Sequence, residues 1–213
     1  MRRTRGWLPV VEVLIGAALV GVACPVLVPR VIDSPGQANA FADAAQLHTH
    51  AAWLEIFRQK HGGAPPDAGG HQFVLSTWTA RIFDHDADAI DRYFTPGSTD
   101  PVWRERREAM WRGEDPWPDL SRVTSADTHY AGRASAAPPT ATQADEAWVA
   151  DDNENGWSLR DGAINILLST GKVRTYSYQD LERLFGVGPF DHSRPVLTHG
   201  PDSPIPECRN LAR

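Results

Sequence analysis

The residues with the clearest chemical potential in this chain are Asp151, Asn153, Asn155 and Gly156, which read D-x-N-x-N-G. Oxygen donors at alternate positions, with a glycine for a sharp turn, suit a hard cation such as calcium. A helix-loop-helix calcium site would close with a glutamate at the twelfth position, where this chain has Gly162. The flanks read as strands. Asp151, Asn153 and Asn155 are therefore candidate calcium ligands in a strand-bounded loop, or else a polar turn made of the usual turn residues. Asp84, His85, Asp86 and Asp88 form a second acidic group, which a helix N-cap explains as simply as a metal does. His48 with His50, and His199 with Cys208, are pairs lacking a third group. With no nucleophile elbow, zinc-protease helix or phosphate loop in the chain, the reading is not an enzyme.

The ionisable residue most out of place is Glu12. It lies early in an apolar run from Trp7 to Val28, behind the basic leader Arg2, Arg3, Arg5 and the adjoining Gly6. As a helix, the 22 residues of that run would span roughly 33 Å, enough for a hydrocarbon core of about 30 Å. The arginines should stay cytoplasmic, leaving the chain after Arg30 outside the cytoplasm. An ionised carboxylate at bilayer depth costs about 2.5–3.5 kcal/mol even on lenient scales, so it needs a role or a partner. A cleaved secretory signal would want a shorter apolar region without a glutamate. A lipoprotein signal ending at Cys24 would want a leucine where Gly21 stands.

The elements that would carry these residues follow from pattern. Ser34 suits an N-cap, Pro35 the first helical position, and Gln37 completes a capping-box spacing. Ala40, Phe41, Ala44, Leu47, Ala51, Leu54 and Phe57 then trace one apolar face, with Asp43, Gln46, His50 and Gln59 mostly off it. Gly62, Gly63, Pro65 and Pro66 end the helix. One or two helices follow over Gln72–Phe94, broken around Asp84. Thr95–Ser121 reads as a decorated loop with a short helix at Arg104–Trp111, and Ala134–Thr142 as loop. A strand begins at Ala147, Trp148 and Val149, and another alternates through Ile164, Ile166 and Leu168. Thr170-Gly171 turns the chain into an antiparallel partner at Val173–Tyr176. Ser177 with Asp180 caps a short helix whose Leu181, Leu184 and Phe185 face inward.

Net charge is −6 with no basic stripe, which argues against nucleic acid as a partner. Cys24, inside the apolar run, and Cys208, near the C-terminus, are expected to stay unpaired.

Gly6, the early Glu12 and the long apolar helix together resemble the prepilin leader of type IV pilins and type II secretion pseudopilins. The separation of 17 residues between Glu12 and Pro29 fits that pattern. Glu12 itself lies one residue further from Gly6 than the family places its glutamate, and Trp7 and Pro9 replace the usual phenylalanine and leucine. A one-residue insertion between Gly6 and Glu12 reconciles these. The helix ending in Lys60-His61-Gly62-Gly63 resembles the end of the pseudopilin helix. The run Asp161–Arg174 resembles the family's C-terminal hairpin, and Tyr130–Arg133 also resembles a stretch seen in that group.

The resemblance implies cleavage between Gly6 and Trp7 by a prepilin peptidase, and a role for Glu12 in assembly through the new N-terminal amine of a neighbouring subunit. It raises the expectation of calcium near Asp151, Asn153 and Asn155. It also implies an inner-membrane location, with membrane lipid and other pilin-like subunits as partners. The expected fold is α+β: a long N-terminal helix, transmembrane then amphipathic, packed on a small antiparallel sheet in pilin-like fashion. Its parts are a leader at 1–6, a transmembrane helix at 7–33, an amphipathic helix at 34–62, and a soluble domain at 63–213 with a loop insertion at about 95–145. The alternative is a single-pass anchored envelope domain that binds a ligand or partner without assembling.

Overall fold

A computed structural model describes residues 34–134, 146–152, 157–191 and 193–212. Gly6, Trp7 and Glu12, the whole transmembrane segment expected at 7–33, and Asn153 and Asn155 lie outside the described residues. The chain divides into two compact units, Met1–Pro35 and Gly36–Arg213, and the fold below is that of the second. Among the described residues no helix is long and apolar enough to cross a membrane.

The architecture is α+β. Helix α1 (Pro35–Lys60) is followed by α2 (His71–Thr79), α3 (Ala87–Asp91), α4 (Pro101–Trp111), strands β1 (Tyr130–Arg133), β2 (Ala147–Asp151), β3 (Ile164–Leu168) and β4 (Val173–Tyr176), helix α5 (Tyr178–Phe185), and strand β5 (Leu211–Ala212). The strands form one antiparallel sheet in the order β4-β3-β2-β1-β5. The hairpin β3–β4 pairs Ile164 with Tyr176 and Leu167 with Val173.

The local signals act as expected in most elements. α1 begins at Pro35 and stops at Lys60, with Gly62 and Gly63 in the left-handed region and the Gly63 N–H bonded back to the Arg58 carbonyl at 2.7 Å. Asp86 caps α3 by accepting from the Ala89 N–H at 2.7 Å, which settles the role of one member of the acidic group. Asp100 caps α4 in the same way, accepting from Val102 N–H. Ser177 and Asp180 form a reciprocal capping box on α5. Leu181 of that helix is buried, but Leu184 is 54% exposed, so only part of the expected inward face turns inward.

The sheet is covered on both sides, which is why β2 and β3 are buried throughout. Strand alternation sends Ile164, Ile166 and Leu168 to one side, where they pack with Trp157, Tyr178, Leu181, Ile205 and Cys208. Tyr130, Val149 and Leu167 face the other side, with Leu47 and Leu54 of α1 and Phe73, Leu75 and Trp78 of α2. A bulge between Ala147 and Val149 lets both Trp148 and Val149 serve this second side. Tyr130–Arg133, inside the segment read as an insertion, is an internal strand between β2 and β5. Its Gly132 is required by closeness, because a Cβ there would come 2.1 Å from the Gly70 carbonyl oxygen. Tryptophans from the loop-rich segment also enter the core: Trp117 is buried edge-on against Trp78, with ring centroids 5.0 Å apart.

Candidate functional site: a buried polar junction between the long helix and the sheet

The face that α1 buries differs from the expected one. Its buried positions are Gly36, Ala40, Asp43, Gln46, Leu47, His50 and Leu54. Phe41, expected inside, is 59% exposed, while Asp43, Gln46 and His50, expected mostly outside, are buried. The correction has a physical reason. Burying a polar side chain is unfavourable unless it is hydrogen-bonded, and each of these three meets a partner on a neighbouring element. Gln46 Nε2 donates to the Asp91 carbonyl at 3.1 Å. The His50 Nε2–H donates to the Arg92 carbonyl at 2.7 Å, and the ring packs against Trp53, Tyr93 and Tyr130. Burial lowers the His50 pKa to about 4, so the ring is neutral at pH 7.

Asp43 is the centre of the junction. The Tyr130 hydroxyl donates to Asp43 Oδ1 at 2.5 Å, with Gln46 Oε1 2.8 Å from the same hydroxyl. Asn165 on β3 donates through Nδ2 to Asp43 Oδ2 at 3.2 Å and to the Ala40 carbonyl at 3.1 Å. Thr175 on β4 fixes the Asn165 amide by donating to its Oδ1 at 2.6 Å. Arg160, in a 3₁₀ turn (Ser158–Arg160) after β2, has no solvent exposure. Its Nη1 lies 3.9 Å from Asp43 Oδ2 and its Nε 3.2 Å from Asp151 Oδ2. The Arg160 Nη1–H also donates to the Thr95 hydroxyl at 2.6 Å. Side chains from two strands and one turn thus converge on one carboxylate of α1.

Asp151 completes the group. Its Oδ2 accepts from the Asn165 backbone N–H at 2.6 Å, whereas its buried Oδ1 has no hydrogen-bond acceptor role filled. Burial pushes the Asp151 carboxyl well above the usual range; Arg160 opposes that, and the neighbouring Asp43 reinforces it. A proton on Oδ1 accounts for both facts, since it would turn the orphaned oxygen into a donor toward Asp43. Two carboxyls then face one guanidinium without a surplus negative charge between them.

This geometry also answers where the sequence candidates sit. Asp151 turns its carboxylate into the interior, toward Arg160 and Asn165. Asn153 and Asn155 fall outside the described residues, and among the described residues no cluster of three His, Cys, Asp or Glu side chains could hold a metal. His48 is exposed on α1, away from the environment of His50. Cys208 is a free, buried thiol, held protonated by burial.

A last contact ties the start of α1 to the sheet. A Cβ on Gly36 would lie 2.1 Å from Asp161 Cγ, so glycine is what lets the carboxylate approach the first turn. α1 has no acidic residue of its own in that turn. Asp161, at φ 50°, brings the negative charge that a helix N-terminus favours.

Comparison with protein-family models, with curated proteins and with solved structures found no match.

Proposed function

We propose that the chain is a pilin- or pseudopilin-like structural subunit, held in a bacterial inner membrane by residues 7–33, that joins or caps an envelope filament or a type II secretion-like pseudopilus. The observation that carries the reading is the junction of α1 with the sheet. A 26-residue helix starts two residues after the 7–33 segment and is fastened along its buried stripe to a five-stranded antiparallel sheet. A subunit that transmits position from a membrane segment to a folded domain needs such a directional attachment, since apolar packing alone leaves sliding and rotation weakly specified. Glu12 is the second support, because a plain anchor gains nothing from a carboxylate at that depth.

In this reading Gly6–Trp7 is cut by a prepilin peptidase, and the Glu12 charge is compensated by the freed amine of a neighbouring subunit. The partners are other pilin-like subunits and membrane lipid. The test is crosslinking between subunits in membranes for wild type, Glu12→Leu and Glu12→Gln. Both variants should keep or raise protein level, because the apolar run improves as an anchor, while crosslinking falls. Equal crosslinking in all three would remove Glu12 from assembly and leave a single-pass anchored envelope domain, a reading that the tryptophan-bearing α4 also favours.

A further inference from the structure

Between α3, the turn after Phe94 and the start of α4 lies a cleft of about 360 Å³. That is within the range of small-molecule sites, about 300–1,000 Å³. Its floor is the outer end of the buried junction: Gln46 and Thr95 both line it. Thr95 is 2% exposed and accepts from Arg160 Nη1, so its own hydroxyl proton has no acceptor among the described residues.

The walls define the ligand's chemistry. Asp91 is already neutralised: it ion-pairs with Arg107 and accepts from Trp103 Nε1 at 2.8 Å. With its N–H committed and the Arg107 guanidinium 5.4 Å from its ring centroid, Trp103 is held in place, and what it offers the cleft is ring surface. Asp88 and Arg92, both exposed at the rim, have side chains with no hydrogen bond or ion pair among the described residues. Their charges are opposite, so the cleft has no net preference for a cation or an anion. It presents a free carboxylate that accepts, a free guanidinium that donates, and an aromatic side chain beside them. A sugar ring has this complement, with hydroxyls that donate and accept around its edge and a C–H face that packs on an indole.

We propose that this cleft binds a neutral sugar residue. The proposal is independent of filament assembly, and it gives the α4 segment a role in either reading of the function.

The test is calorimetric titration of the full chain in lipid nanodiscs, which avoids sugar-headed detergents. The probes are glucose, N-acetylglucosamine, the β-1,4-linked trimer of each, glucuronate and leucine. Saturable binding of a neutral saccharide is expected; a tighter trimer identifies a polymer chain as the source and a tighter monomer a free sugar. Asp88→Ala, an exposed change that leaves the fold and melting temperature intact, should weaken binding at least fivefold, and Trp103→Ala more. No saturable binding of any neutral saccharide, preferential binding of glucuronate or leucine, or binding unaltered in both Asp88→Ala and Trp103→Ala overturns the proposal.

Discussion

Arg160→Met is the perturbation that most directly probes the junction between α1 and the sheet. The guanidinium is fully buried, 3.2 Å from one buried carboxyl oxygen and 3.9 Å from another, and it donates to Thr95 at 2.6 Å. Methionine fills a similar volume but compensates no charge. Removing one partner of a buried ion pair costs about 3–5 kcal/mol, because the charge left behind stays desolvated. A domain of this size has a total stability of about 5–15 kcal/mol, so the loss is a large fraction of it. At roughly 2–4 °C per kcal/mol for a unit of 150–250 residues, the melting temperature should fall by about 6–20 °C. The assay is urea and thermal unfolding of the full chain in nanodiscs, followed by tryptophan emission. The double variant Arg160→Met/Asp43→Asn should be more stable than the single one, because the second change removes the carboxylate that had lost its counter-charge. A loss below about 1 kcal/mol in the single variant, or strictly additive losses in the double, would refute the view that these groups act as one unit.

Other expectations follow from the same contacts. Burial raises the Asp151 carboxyl above its unfolded value of about 3.9, so this group's stabilisation is full below that pH. It fades at about 1.4 kcal/mol per pH unit as pH rises toward the raised folded value. The stability of wild type relative to Asp151→Asn should therefore decline as pH rises from 4, and a pH-independent difference would contradict the shared proton. His50 has the opposite sign: its pKa is lowered from 6.5 to about 4, so its contribution is present above pH 6.5 and is lost as pH falls toward 4. Unfolding of His50→Gln should be less acid-sensitive than wild type across that window. Leu47→Ala, at a site with no exposure, should cost about 2–5 kcal/mol, whereas Phe41→Ala should stay within about 0.5 kcal/mol of wild type; equal losses would restore the apolar face first read from the sequence. Calcium should not raise the melting temperature while Asp151 is bonded to Arg160 and Asn165. A gain of about 2.7 kcal/mol at a hundred times the dissociation constant, absent with magnesium, would return Asp151 to the cation loop.

Much of the fold was legible because its signals are local. Ser34-Pro35 and Gly62-Gly63 bound α1, the Ser177–Asp180 box starts α5, and Thr170-Gly171 turns β3 into β4, each through backbone chemistry confined to a few residues. The junction was not legible, because its partners are long-range. Asp43 meets Tyr130 and Asn165 across 87 and 122 residues. In isolation, Asp43, Gln46 and His50 look like a solvated face. Their spacing with Ala40, Leu47 and Leu54 was the available clue: intervals of three and four mark one face whatever the polarity of its members. Asn165 gave a similar hint, since it shares its side of β3 with Leu167. Arg160 and Thr95 gave none, as nothing in a short turn foretells a buried cation. β1 went unread as a strand because four residues with a glycine carry little periodicity, and β5 has only two residues.

The proposal that this chain is a processed, assembling subunit meets its most direct test at its own N-terminus. Intact-mass and N-terminal peptide mass spectrometry of the protein from cells with an active prepilin peptidase should find a mature chain beginning at Trp7, and Gly6→Leu should accumulate the precursor. A native chain that still begins at Met1 in those cells would contradict the pilin-like reading.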